Sequence, residues 1–210
     1  MERKHKRLAT RRAAGVAGVV FAILMAAAIT LVRLALPGGG DDVTLDSGQR
    51  SGLRAALELV PFAGIAFLWF MGALREQSGR AEDRFVATVF LGSGVVFVAT
   101  LFGAAAAAGT VLGDGREDST FGSHFAYALL TTYSMRMAAV FAIATSTIGR
   151  RLGALPRPLV VVGYLAGLTL LVAGSGVPWS EMVFPAWALL LSLNILWGRP
   201  PAPARPAAPA

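Results

Sequence analysis

At 210 residues the chain is 55% hydrophobic and only 15% charged, with a mean hydropathy of +0.63. Too little polar surface remains to cover a soluble core, and the apolar residues come in long runs, so lipid is the expected solvent. The net charge of +7 does not point to nucleic acid, because the basic residues gather at helix ends and in a tail.

The expected fold class is all-α, a polytopic transmembrane bundle of about six spans in one domain, 13–197. A basic N-terminal tail, 1–12, leads into the first apolar run at about 13–36, which only Arg33 interrupts. Arg33 falls near the outer end of that run and is expected to snorkel to the interface. The run is about twice as long as a 7–15-residue signal core and lacks a small-x-small site, which favours an uncleaved anchor. Cleavage would instead leave five spans and an external N-terminus.

The second span, about 57–74, is entered through Pro61, and the third, about 85–112, carries Gly92, Gly94 and Gly103 on a smooth face. The fourth covers about 124–148. The fifth and sixth, about 159–173 and 182–197, are short against the roughly 20 residues a hydrocarbon core needs. They read as two true spans with a tight turn over 174–180, or else as a re-entrant pair. Residues 198–210 alternate Pro and Ala and are expected to be extended and solvated.

Charge placement sets the orientation. Arg3, Lys4, Lys6, Arg7, Arg11, Arg12, Arg75, Arg80, Arg84, Arg150, Arg151, Arg157, Arg199 and Arg205 fall on one side of this arrangement. Arg50, Arg54 and Arg116 share the other with Asp41, Asp42, Asp46, Asp114, Glu117 and Asp118. The positive-inside bias then places both termini in the cytoplasm, and the excess of Arg over Lys with abundant Ala and Gly suggests a high-GC bacterial genome. Trp69, Trp197 and Trp179 fall near interfaces, whereas Trp187 sits mid-span and reads as a packing residue.

Arg136 is the main candidate binding residue. It lies twelve positions beyond His124, about 18 Å along a helix and near the middle of a core roughly 30 Å thick. A charge there costs about 2.5–3.5 kcal/mol on insertion scales, so it is expected to face the bundle interior, a polar cavity or a carboxylate. Thr132 lies one turn earlier on the same expected face, with Thr147 three turns later. Thr131, Tyr133 and Ser134 thicken the polar patch. Two readings stand: an anion or lipid-headgroup contact, and a structural arginine bound to backbone carbonyls and hydroxyls.

The candidate charge partners are Glu58 and Glu181, both expected near the outer boundary; Glu58 also has Arg54 one helical turn before it. Asn194 is a candidate for interhelical hydrogen bonding, and Gly163 and Gly167 make a small-xxx-small pair for close packing, within one bundle or between copies. The loop Arg75–Arg84 mixes both signs and reads as a solvated connector.

Several chemistries lack their residues. There is no H-E-x-x-H helix, G-x-S-x-G elbow or Walker loop, and no span carries a central Asp or Glu. Cysteine is absent and only His5 and His124 occur, so neither a metal site nor a histidine-ligated haem is expected, and no cofactor is assigned. The balance leans against an enzyme. The expected partners are the lipid bilayer and either a second copy or another membrane protein, with no nucleic acid. The expected role is a non-enzymatic component that packs with or modulates other membrane proteins. The alternative is a small transporter or channel for an anionic or amphiphilic solute using Arg136; an intramembrane enzyme would have only Arg136, Tyr133, His124 and Glu181 to work with.

The run Phe67–Thr100 (FLWFMGALREQSGRAEDRFVATVFLGSGVVFVAT), with Arg157–Val172 and Phe184–Leu196, resembles uncharacterised actinobacterial multi-span membrane proteins. The resemblance covers the domain from the second span onward. It implies a polytopic plasma-membrane protein and no assigned activity or site.

Overall fold

The structure is a computed structural model that describes residues 2–35, 46–78, 84–112, 118–173, 177 and 179–197. Outside the described residues lie Asp41, Asp42, Arg80, Glu82, Asp83, Asp114, Arg116 and Glu117, most of the expected turn over 174–180, and the tail 198–210 with Arg199 and Arg205. The described chain is all helix: α1 (Glu2–Ala35), α2 (Ser47–Ser78), α3 (Arg84–Val111) and α4 (Asp118–Ala128). A π-helical segment (Leu129–Ser134) joins α4 to α5 (Met135–Arg151). Then come α6 (Arg157–Ala173), a 3-10 turn (Ser180–Met182) and α7 (Val183–Trp197).

Five stretches are long and apolar enough to cross a membrane: Arg12–Ala35, Ser47–Glu76, Arg84–Thr110, Gly122–Arg151 and Ser180–Trp197. The sixth, α6, is a shorter apolar helix of 17 residues, about 25 Å long.

Two helices begin earlier than the hydropathy suggests. Helix α1 runs unbroken from Glu2, so the basic segment 2–12 is helical. Helix α2 starts at Ser47, ten residues before the expected span, and Pro61 lies inside it. Its start is fixed by a reciprocal cap. The Gln49 backbone N–H donates to Asp46 Oδ1 (2.7 Å), and the Asp46 N–H donates to Gln49 Oε1 (3.0 Å), satisfying two amides that the first turn leaves free. From there Leu53, Ala56, Val60, Ala63, Phe67 and Phe70 follow at alternating steps of three and four, and all are buried. That spacing makes one inward stripe, and Arg50, Arg54 and Glu58 fall off it and are exposed.

Cross-helix contacts give the register. Gly18 of α1 sits against Phe70 of α2 and Ser192 of α7, and Gly15 against Leu196. Gly64 of α2 meets Phe102 of α3, while Gly94 of α3 meets Met71. Gly103 faces Leu129, and Gly163 and Gly167 of α6 rest on Ser146 and Ile143 of α5. Each pair couples an early residue to a late one, so successive helices run antiparallel. The contacts close into a ring, α1–α2–α3–α5–α6–α7 and back to α1. Gly163 and Gly167 thus pack inside one bundle, where any side chain would collide with Ser146 or Ile143. Of the three glycines expected on a smooth face of α3, Gly94 is in tight contact and Gly103 in ordinary contact, whereas Gly92 faces open space.

The centre of the ring is aromatic. Five helices contribute fully buried phenylalanines: Phe21 of α1, Phe67 and Phe70 of α2, Phe97 of α3, Phe141 of α5 and Phe184 of α7. Ring centroids lie 5.0 Å apart for Phe21–Phe67, 4.9 Å for Phe67–Phe97 and Phe67–Phe141, and 5.0 Å for Phe97–Phe184, within the range of tilted and edge contacts. Trp187 stacks on Phe184 at 5.8 Å and is buried, a packing residue. Helix α6 supplies no ring to this cluster and approaches through its glycines. Trp69 and Trp197 are strongly exposed and Trp179 is half-exposed.

Candidate functional site

Two arginines interrupt the apolar runs read from the sequence, Arg33 in 13–36 on α1 and Arg136 in 124–148 on α5, and their surroundings are opposite. Arg33 lies in the last turn of α1. Helix α7 begins beside it, because antiparallel packing brings the end of α1 to the start of α7. There Arg33 Nη2 donates to Glu181 Oε1 at 2.5 Å, and Arg33 Nη1 donates to the Tyr127 hydroxyl at 3.1 Å. The guanidinium carbon also lies 5.5 Å from the Tyr127 ring centroid, in cation–π range. Side-chain exposure is 14% for Arg33 and 1% for Glu181.

This corrects the expectation that Arg33 snorkels to the interface. An oppositely charged group within reach offers two charge-assisted bonds in a low-dielectric site, and that outweighs rehydration at the helix end. Glu181 is likewise not a partner for Arg136. It stands in the 3-10 turn preceding α7, which brings its carboxylate inward. The cluster ties the first helix to the last and to α4, so it closes the ring by charge where Gly15 and Gly18 close it by contact at the far end. One atom is left over: Glu181 Oε2 is buried with no hydrogen-bond partner among the described residues.

Arg136 faces the other way. It is exposed, not directed into the bundle, and no described residue bonds to it. Every other residue from Met137 to Gly149 is buried or half-buried. Arg136 is therefore the one exposed residue of α5 before its C-terminal Arg150 and Arg151. Tyr133, three residues earlier, is 56% exposed, and Thr132 is half-buried.

The reason lies in the π segment immediately before. A helix bonded i to i+5 carries an extra residue in its turn, and one residue is worth about 100° of rotation. The face projected from Thr132 to Arg136 assumes an unbroken α-helical phase, and Leu129–Ser134 breaks it. Thr147, farther along the unbroken α5, points to α6, where its hydroxyl lies 3.0 Å from that of Tyr164. Thr131 donates to the Tyr127 carbonyl (2.8 Å), and Ser134 donates to Thr100 Oγ1 (2.9 Å). Thr131 and Ser134 are thus spent on backbone and a neighbouring hydroxyl, not on Arg136.

Glu58 is exposed on α2 and forms no ion pair with Arg54, which is also exposed. The register sets its depth. Ser134 bonds Thr100, and Gly64 lies between Val98 and Phe102, so Arg136 is level with the region of Gly64. Glu58 is then roughly six residues, about 9 Å, nearer the opposite end. Asn194 is half-buried and makes no side-chain hydrogen bond to a described residue. Among the described residues, no three His, Cys, Asp or Glu side chains gather to hold a metal ion.

The arrangement can do two things chemically. Arg33, Tyr127 and Glu181 hold a charge pair inside apolar surroundings, and Arg136 offers a cation to whatever lies against α5. No family model, curated protein or solved structure matches the chain. Tyr127 and Arg33 are the cluster residues that sequence reading alone leaves unassigned as a site. A signal for them exists: with alternating spans, Arg33 and Glu181 fall at the same boundary, and opposite charges at one depth in an apolar chain should pair.

Proposed function

We propose that this protein is a non-enzymatic component of a bacterial plasma membrane that packs with another membrane protein through the outer face of α5. Both termini are then cytoplasmic, as the inside-positive bias requires. The observation that carries this reading is the outward Arg136, near mid-depth and with no partner among the described residues. A guanidinium facing hydrocarbon costs about 2.5–3.5 kcal/mol on insertion scales, and a partner carboxylate removes that cost. The partner surface is accordingly a transmembrane helix bearing Asp or Glu at matching depth. Tyr133, nearly one turn before Arg136, adds an aromatic ring suited to a tightly packed interface.

A transport path using Arg136 has less support, since the bundle axis is filled by phenylalanines and Arg136 lies off that axis. The test is site-specific photocrosslinking in native membranes, with the photoreactive group at Tyr133 and a control at the exposed Val161 of α6. A discrete product at Tyr133, lost in Arg136→Gln and absent at Val161, supports the interface. Equal crosslinking in Arg136→Gln, or only lipid adducts at Tyr133, would sink it.

A further inference from the structure

Arg136 has a counterpart of opposite sign on the bundle surface. In the ring, α3 stands between α2 and α5. Helix α5 presents Arg136 and α2 presents Glu58; both are exposed, and neither forms an ion pair among the described residues. Ser134 bonds Thr100, and Gly64 lies against Val98 and Phe102, so the two charges flank the stretch 98–106 of α3. Glu58 lies about 9 Å nearer the end at which both α2 and the α4–α5 span begin. A helical side chain tilts toward the N-terminus of its own helix, so Arg136 leans toward that end, and its length takes up most of the offset.

Between the two charges α3 turns a shallow seam outward. Gly92, Val95, Ala99, Phe102, Ala106 and Gly109 are all exposed and follow at alternating steps of three and four. That is the repeat along which two helices pack side by side. Gly92 and Gly109 face open space, and the Phe102 ring lies aside on Gly64 of α2, so a second helix can approach closely. Small residues alone name no occupant; the charges on the two flanks do.

Taking the α5 face as the interface proposed for it, we infer that its partner is a second copy of this chain, related by a two-fold axis along the membrane normal and meeting the first across α3. Such an axis keeps both copies in one orientation and sets α2 of each opposite α5 of the other. Arg136 of one copy then meets Glu58 of its partner, twice over, and both charges are satisfied within one closed pair. The surface is self-complementary because its flanks differ in sign; equal signs would repel under the same rotation. A different membrane protein would have to supply its own acidic residue, whereas this chain already exposes one.

Charge exchange tests this in liposomes of the full chain, with association read by energy transfer between terminal labels at falling protein-to-lipid ratio. Arg136→Glu and Glu58→Arg should each weaken association about tenfold or more, since like charges then meet. The chain carrying both exchanges should regain the native affinity. So should an equimolar mixture of the two single variants, one bearing two acidic groups and the other two basic ones, which a misfolded variant could not do. The native sequence lacks cysteine, so Ala99→Cys supplies one thiol beside the axis that should form a disulfide between copies, while Val161→Cys on the exposed face of α6 should not. A native chain that stays monomeric at every dilution overturns the two-copy arrangement. Single exchanges that associate like the native chain, exchanged pairs that fail to recover, or equal disulfide yield at Val161 do the same. A Tyr133 crosslink to a different protein, with the native chain monomeric, would leave α5 as an interface and remove only the self-association.

Discussion

Arg33 and Arg136 are the same residue in the same kind of helix, yet one is enclosed by partners and the other stands outside the bundle. Arg33 sits near a helix end, where an unsatisfied guanidinium could reach water at modest cost, and it is nevertheless held by Glu181 and Tyr127. Arg136 sits near mid-depth, where water is farthest, and has no bonding partner among the described residues. Depth alone would assign the partners the other way round. What differs is supply: the antiparallel ring delivers a carboxylate to the end of α1, while the middle of α5 meets rings on its inner face and, among the described residues, no carboxylate at Arg136. An intramembrane charge is informative in proportion to what its own chain fails to provide.

Breaking the inner arginine should have the largest effect. Removing one partner of a buried pair strands the other charge, at about 3–5 kcal/mol. Arg33→Ala and Glu181→Ala should each lower stability by about that much, read by equilibrium unfolding in mixed detergent. The double variant Arg33→Met with Glu181→Met should cost much less than the two single losses together, because an apolar pair of similar volume leaves no stranded charge. Additive losses would mean that the two side chains are not coupled as the 2.5 Å contact implies.

How much of this was legible beforehand follows from the same two residues. The all-helical class, the apolar runs and the central packing of Trp187 follow from composition and position, because lipid forces backbone groups to bond within each helix. The start of α2 was also readable, since Asp46 and Gln49 have capping-box spacing; the hydropathy run conceals it because the first turns are amphipathic rather than apolar. The direction of Arg136 was not readable. It depends on a π segment within LLTTYS, and no residue there marks an i to i+5 turn in the way that proline or glycine marks a break. The Arg33–Glu181 contact needed the ring closure between α1 and α7, a tertiary fact, although the charge pattern allowed it.

A smaller effect isolates the tyrosine that links the inner arginine to α4. Tyr127→Phe keeps the ring over the guanidinium and removes one hydroxyl acceptor. A lost hydrogen bond to a charged group is worth about 1.5–3 kcal/mol when buried, and the retained cation–π contact and the Glu181 bond hold the effect toward the lower end. The measurement is again unfolding in mixed detergent, with Tyr133→Phe as an exposed control that should change nothing. If Tyr127→Phe matched Arg33→Ala, the tyrosine and not the carboxylate would be the main anchor of Arg33.

The smallest effect on the isolated chain should come from the outer arginine. Because Arg136 makes no contact within the described structure, Arg136→Leu removes no internal bond. It relieves the cost of a charge in hydrocarbon, about 2.5–3.5 kcal/mol on insertion scales, only to the extent that lipid and not detergent or water surrounds it. In detergent the variant should therefore unfold within about 0.5 kcal/mol of the native chain, the range of surface substitutions. In bilayers it should be equal or more stable. A loss of 2 kcal/mol or more would mean that Arg136 carries load inside the fold, and the contrast with Arg33 would collapse. A neutral result sharpens it: a residue costly to insert and dispensable for folding is retained for something outside its own chain.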